Sequence, residues 1–420
     1  MIRTLLITGI IALSVTTFSQ AKGKEKVSVW GKQGFDLPIV DLDQESAMQV
    51  VIDKEKGQYL GHPTTVLLED GKTIFCVFPK GHGKGGIVLK KSIDGGKTWS
   101  DRLPTPENWV TSKEVPTLYP TVDVQGKKRI IMFSGCQDWG ENHIRMAVSE
   151  DNGDSWSELK EIGNYSGIVA MSDCISLKEK GHYLATFHRR DGKEMVLFQV
   201  RSTDGGVTWG DEEEVYRSAQ IHVCEAGLVY SADKKEIAML LRENSRRYNS
   251  QVMFSTDEGK TWSDPRPLPG SLCGDRHQVV YLNDGRLLIQ FRDISPKHRP
   301  GNLFVPTDGD WCAWVGTWED IKNGYEGEYR VRLKDNKKGW DTGYAAGELL
   351  SDGTIVCTTY GHWDRGEAPY ILSVRFKMED LDTRVKKIKK QGQSIIKNDT
   401  GSEIRIWNPE NPQIIPHYEK

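Results

Sequence analysis

A chain of 420 residues with 13 Trp, 14 Tyr and 42 Gly has the composition of many short strands joined by tight turns, not of long helices. Its net charge of −3, from 56 basic against 59 acidic residues, excludes a general electrostatic grip on nucleic acid. Seven cysteines stand singly at 76, 136, 174, 224, 273, 312 and 357 without metal-ligand spacing, so no metal or organic cofactor is implied. Several lie in apolar strands, as in Phe75-Cys76-Val77, where a buried small hydrophobe is the simpler account.

The chain opens on a short cationic stretch, Met1-Ile2-Arg3-Thr4, then an apolar run over 5–15 and the small-x-small triplet Ser19-Gln20-Ala21. That order predicts a signal peptide over 1–21, cleaved after Ala21, and a secreted or periplasmic protein. No later apolar run reaches the roughly 18 residues of a spanning helix, so no membrane insertion is expected. Residues 22–58 read as a lead-in.

From there the sequence repeats. Ser92-Ile93-Asp94-Gly95-Gly96-Lys97-Thr98-Trp99 sets a pattern that returns at 149–156, 202–209 and 255–262. Its aspartates, at 94, 151, 204 and 257, are 57, 53 and 53 residues apart. The motif is a hairpin staple: Asp and Ser/Thr side chains bind amides of the turn, Gly supplies positive φ, and Trp packs on the strands beneath. Turn chemistry explains these aspartates without a catalytic role.

Between the boxes recurs an apolar strand, an Asp-Gly turn and another apolar strand, as around Asp70-Gly71, Asp284-Gly285 and Asp352-Gly353. Blades are expected at about 60–100, 115–157, 167–210, 222–263, 275–319 and 342–377, the last two without a box. The fold class is all-β: a six-bladed β-propeller of four-stranded antiparallel blades over 59–377. Seven blades is the alternative if 25–58 or 380–415 contributes strands. Residues 378–420 read as an extension of strands or coil packed on the propeller, the basic run 384–390 being a solvated face.

At this point the chain resembles the sialidase superfamily of Asp-box propellers. Cys224-Glu225-Ala226-Gly227, followed by Leu241-Arg242-Glu243, is similar to the strand–turn–strand whose Glu polarises a catalytic tyrosine and whose Arg grips the substrate carboxylate. Gly343-Tyr344-Ala345-Ala346-Gly347 resembles the segment that carries that tyrosine. The resemblance implies Tyr344 as nucleophile, Glu225 as its activator, and Arg242 with Arg276 as an anion clamp. Arg292 and Arg299 are further candidates for the third clamp arginine.

Two departures stand out. His62, in Leu60-Gly61-His62-Pro63, occupies the place of the first clamp arginine, and the loop Lys80-Gly81-His82-Gly83-Lys84 has no carboxylate where the family keeps its acid/base Asp. Histidine titrates near neutrality and serves as acid or base, so His62 and His82 are candidates, with flanking lysines suiting an anionic substrate. Asp173 is the other candidate proton donor. His277, in Gly274-Asp275-Arg276-His277, opens a strand near the axis, where an Arg–Asp structural pair is equally in keeping with the pattern. The resemblance implies an exo-α-sialidase-like glycoside hydrolase releasing a terminal acidic sugar from a glycan. Two alternatives stay open: a histidine-dependent, uronate-directed lyase or rhamnosidase-type hydrolase, and a non-catalytic carbohydrate-binding propeller. No sequence feature sets an oligomeric state.

Overall fold

The computed structural model describes residues 34–407 except 139–140, 296–297, 300–302, 305–306 and 398–402. The signal peptide expected at the N-terminus lies outside the described residues. No helix among them is long and apolar enough to cross a membrane.

Six sheets follow one another along the chain and close into a ring, the six-bladed propeller that the repeat predicts. Blade 1 is three-stranded (Thr64–Leu67, Ile74–Pro79, Ile87–Ser92), with Leu103 adding a single bridge to Leu89. Blades 2, 3 and 4 are four-stranded meanders over 117–161, 168–218 and 223–267. Their short outer strands, Lys160–Glu161, Glu213–Ser218 and Arg266–Pro267, come after the box tryptophans, beyond the expected blade ends. In blade 5 the outer strand Tyr329–Lys334 follows a short helix, Trp318–Asn323, which stands where the Asp box is missing.

Residues 34–58 are more than a lead-in. Ile39–Asp41 joins the edge of blade 5 in parallel with Tyr329–Lys334, and Gln49–Asp53 is the fourth strand of blade 6, antiparallel to Tyr370–Phe376. Both strands extend existing blades, so no seventh forms. The C-terminal segment adds a helix to the expected strands or coil: Met378–Gln391 buries Leu381 and Val385 against blades 5 and 6, and Ser394–Lys397 then pairs antiparallel with Glu403–Trp407. The helix's apolar positions 381, 385 and 388 recur at helical spacing, which leaves the basic residues on the other face.

Each seam between blades has its own apolar cluster. Phe133 and Ile144 of blade 2 pack with Phe187 and Phe198 of blade 3, and Leu240 and Val252 of blade 4 with Ile289 and Trp314 of blade 5. A blade buries neither face without its neighbours. The Asp boxes staple the outer turns as expected: Asp94 Oδ1 accepts from Lys97 N and Thr98 N at 3.0 and 2.9 Å, and Oδ2 from Thr98 Oγ1 at 2.7 Å. Cysteines 76, 174, 224, 312 and 357 are buried thiols among these apolar side chains.

At the seam of blades 6 and 1, Thr65 Oγ1 donates to Glu348 Oε1 at 2.6 Å. Burial raises the Glu348 carboxyl to about 7. An acid whose folded pKa is raised loses stability as pH climbs from its unfolded value near 4.5 through about 7. Glu348→Gln is therefore expected to melt with wild type at pH 5. At pH 8 it should be more stable by on the order of 1–2 kcal/mol, read by thermal denaturation at both pH values.

Candidate active site

Antiparallel pairing decides which end of each blade carries chemistry. In blade 4, Cys224 pairs with Arg242 at one end of the inner hairpin and Tyr230 with Ile237 at the other. Ile237 in turn pairs with Ser255, the first residue of the Asp box. The openings of inner strands and the ends of second strands therefore share one face. The boxes lie on the opposite face, about 20 Å away at strand rise.

On the first face the inner strands are bulged. Register breaks between Ile168 and Asp173, Cys224 and Gly227, and Asp275 and Gln278. At those breaks Met171, Glu225 and Arg276 take φ of 42°, 47° and 58°, and His62 just ahead of blade 1 takes 54°. Left-handed backbone costs a non-glycine residue roughly 1–2 kcal/mol. Such strain persists where the surroundings over-determine it, and a bulge re-aims the side chain it carries. Here it brings Glu225 to the Tyr344 hydroxyl and the Arg276 guanidinium to the Tyr344 ring.

Tyr344, Glu225 and Arg242 come together. Tyr344 Oη donates to Glu225 Oε1 at 2.8 Å, and Arg242 Nη1 donates to the same oxygen at 2.7 Å. Burial would raise the Glu225 carboxyl, but Arg242, with His188 and Arg276, holds it at about 2. Burial and the Glu225 charge push the Tyr344 phenol well above its ordinary value. The resting pair is a neutral phenol on a carboxylate. The guanidinium of Arg276 lies 5.4 Å from the Tyr344 ring centre, and its Nη1 is buried without a hydrogen-bond partner among the described residues.

The other arginines are paired with a buried carboxylate. Asp275 accepts from Arg292 Nε and Nη2 at 2.9 and 2.5 Å and from Arg246 Nη1 at 2.5 Å, with Arg242 Nε 3.4 Å away. Burial opposes ionisation of Asp275, yet Arg292, Arg242 and Arg246 together hold it far below the carboxylate range. Gly343, at φ 95°, lets the chain pass Arg292 where a Cβ would come within 2.3 Å of the arginine's own. Arg292 thus clamps the backbone leading to Tyr344, donating also to Thr342 O at 3.2 Å. The Arg299 side chain lies outside the description.

His62 and His82 sit at the seam of blades 6 and 1. His62 is buried, with Nδ1 accepting from Gly83 N at 3.0 Å and Nε2 3.2 Å from Tyr360 Oη. Its ring lies 4.3 Å from that of Tyr344 and 4.8 Å from that of His82. Burial, then the neighbouring His82, lowers the His62 pKa well below the ordinary value, so it packs as a neutral ring. His82 is exposed in a loop folded tightly on itself: Gly85, at φ 119°, donates to Ser112 O, and a Cβ there would stand 2.6 Å from Lys80 O.

The remaining two candidates are tied elsewhere. Asp173 accepts from Cys174 N and, across the seam, from Leu228 N, at 2.8 and 2.7 Å. His277 meets Leu272 O at 3.0 Å, and burial lowers it to about 4. Asp173 reads as a clamp between strands, and His277 as a local tie to the turn before its own strand.

Three neighbours were not singled out from the sequence. His188 pairs with Ile168 just ahead of a bulge, the place Arg242 and Arg292 hold in the next two blades. The signal was there: Phe187-His188, Leu241-Arg242 and Phe291-Arg292 each end an apolar strand on a polar residue. Arg246 and Asp341 lie in loops with no such periodicity. Among the described residues, His188, Cys224 and Glu225 have ligand atoms within 4.8 Å of one another. Arg242 on Glu225, and a Cys224 thiol held protonated by burial, make that group a poor fit for a cation.

The chain matches the family profile of the BNR repeat-like domain over residues 110–300. It is similar to a sialidase of Clostridium perfringens, 22% identical over 277 residues, or 60% of this chain and 61% of that protein. The chain spans about three fifths of that relative's length. Among solved structures it is similar to the leech intramolecular trans-sialidase, with TM-score 0.56 at 16% identity, covering 85% of this chain and 72% of that one. It is equally similar to an α-L-arabinanase of Penicillium chrysogenum, with TM-score 0.56 at 14% identity, covering 79% and 98%. At such identities the structural likeness is one of fold.

Asp275 holds three arginines, so its loss leaves buried charge uncompensated. Asp275→Asn is expected to destabilise the protein by about 3–5 kcal/mol. Asp94→Asn, in an exposed box, should cost no more than about 1–2 kcal/mol. Urea denaturation of the two variants beside wild type checks the contrast.

Proposed function

We propose that this chain, a divergent member of the sialidase-like superfamily of BNR-repeat propellers, is an exported glycoside hydrolase that releases a terminal acidic sugar through a tyrosine nucleophile. The observation that carries the reading is the buried contact of Tyr344 Oη with Glu225 Oε1 at 2.8 Å, with Arg242 on the same oxygen. The similarity to a bacterial sialidase and the shared fold support it.

In this reading Tyr344 Oη attacks the anomeric carbon as its proton passes to Glu225. The glycosidic C–O bond breaks, and the departing oxygen takes a proton from the His82 imidazolium, which becomes the neutral ring. Water then attacks the tyrosyl glycoside and gives its proton to His82, while the released tyrosinate recovers its own from Glu225. A phenol that is neutral at rest approaches an anionic sugar without charge repulsion, which a carboxylate nucleophile does not. With Arg292 and Arg246 tied to Asp275, the unpaired Nη1 of Arg276 is the anchor for the sugar carboxylate. Asp173 is set aside as donor because backbone amides take both its oxygens.

The test is hydrolysis of a fluorogenic α-sialoside by the mature chain. Tyr344→Phe should abolish turnover by a factor of at least about 10³, and Glu225→Gln should reduce it by about 10²–10⁴. Arg276→Ala should lower kcat/KM about 10–100-fold, chiefly through KM. A folded wild type that turns over no sialoside overturns the acidic-sugar reading. A second reading, favoured by the histidine pair at the seam, is uronate-directed cleavage, and an unsaturated product seen by ultraviolet absorbance would identify a lyase.

A further inference from the structure

At the mouth of the site, four donors converge on a carboxylate that the reaction as written does not use. Asp341 Oδ1 accepts from Tyr59 Oη at 2.6 Å and from Tyr360 Oη at 3.3 Å, and its Oδ2 lies 3.0 Å from His362 Nε2. His82 Nδ1 stands 3.3 Å from Oδ1 and 2.7 Å from Tyr59 Oη.

The bonding has one consistent assignment. A carboxylate only accepts, so the single proton of Tyr59 is spent on Asp341. The Tyr59 oxygen can then meet His82 Nδ1 only as an acceptor, and Nδ1 must carry hydrogen. His82 is left with Nε2 as its free ring atom, without a partner among the described residues. Burial would raise the Asp341 carboxyl, but hydrogen bonds from His82, Tyr59 and His362 hold it well below the usual range, so it stays ionised.

We propose that Asp341, acting with Tyr59, is the positioning residue of a proton-transfer dyad. It fixes the His82 imidazole in the Nδ1–H tautomer, so that Nε2 is the atom that exchanges the proton with the departing oxygen. This rests on the glycosidase reading and deepens it. The forward step starts from the His82 imidazolium, protonated on both nitrogens: the Nε2–H bond breaks as the glycosidic oxygen gains the proton, leaving the neutral Nδ1–H ring, whose bare Nε2 then takes one back from the attacking water. Asp341 remains a carboxylate throughout.

The groups around His82 are compatible with this role. His62 beneath it has both nitrogens engaged, by Gly83 N and Tyr360 Oη. On its own loop, Lys80 pairs with Glu55 at 3.5 Å, and Lys84 is exposed. The dyad itself bridges the loop of blade 1 and the segment of blade 6 that leads into Tyr344, three residues beyond Asp341.

The test uses the full mature chain with ¹⁵N-labelled histidine, the His82 resonances being identified by their loss in His82→Ala. Wild-type neutral His82 should be Nδ1–H. Tyr59→Phe and Asp341→Ala should shift it towards Nε2–H, with melting temperatures recorded to separate unfolding from re-orientation. An Nε2–H tautomer in wild type, or one unchanged in both variants, overturns the proposal. In kinetics, Asp341→Ala should lose about 10²-fold or more in kcat on an alkyl sialoside, with KM unchanged, and far less on an aryl sialoside whose leaving group needs no proton. An equal loss on both substrates marks a merely structural role and also overturns it. The tautomer measurement needs no substrate, so it stands even where no sialoside is turned over and the glycosidase reading fails.

Discussion

Closure of the ring is the constraint from which the rest follows. Each blade has two apolar faces, and neither is buried until both neighbours are present. The last seam is made by Gln49–Asp53 pairing with Tyr370–Phe376 at a sequence distance of more than 300 residues. The same crossing delivers chemistry. Within ten residues of the closing strand come Tyr59 and His62, which meet Tyr344, Tyr360 and Asp341 of blade 6. The strand that locks the fold thus assembles the histidine side of the candidate site. Loss of closure would take that side apart even if blades 2–5 kept their packing.

The opposite side is built by strain and charge. Glu225 and Arg276 hold left-handed backbone that neither residue favours, and the bulges that impose it recur at one level of blades 3, 4 and 5. Four arginines, at 242, 246, 276 and 292, converge there on two carboxylates, Glu225 and Asp275. Three of them share Asp275, so cations outnumber carboxylates, and the Nη1 of Arg276 has no partner among the described residues. A buried charge left in that state is costly unless a ligand meets it. The arrangement therefore suits an anionic group placed at Arg276.

Legibility in the sequence followed the range of the interactions. The Asp box is a local motif whose every bond lies within a few residues, so its fourfold return exposed the blades directly. The short outer strands after the box tryptophans carry almost no pattern, and the closing strand has its partner at the far end of the chain, so neither could be read from periodicity. The helix Met378–Gln391 was legible in principle, through Leu381, Val385 and Ile388, but its run of lysines drew attention to charge. In the candidate site, Tyr344, Glu225, Arg242 and Arg276 stand out by resemblance, and His62 and His82 by departure from it. Asp341 was missed because nothing in Gly339-Trp340-Asp341-Thr342 marks a site locally. Only the meeting of blades 6 and 1 gives it partners.

The two departures are linked. His62 is buried and neutral, and its ring lies against those of Tyr344 and Tyr360. An arginine there would bring a charge against the Tyr59–Asp341–Tyr360 network and compete with His82 for Asp341. The stacked, neutral imidazole leaves Asp341 open to His82 beside Tyr59, Tyr360 and His362. A histidine at 82 opposite an arginine at 62 would face a carboxylate already engaged by a guanidinium. The two histidines of the seam thus belong to one network, a neutral ring at 62 permitting a carboxylate-held imidazole at 82.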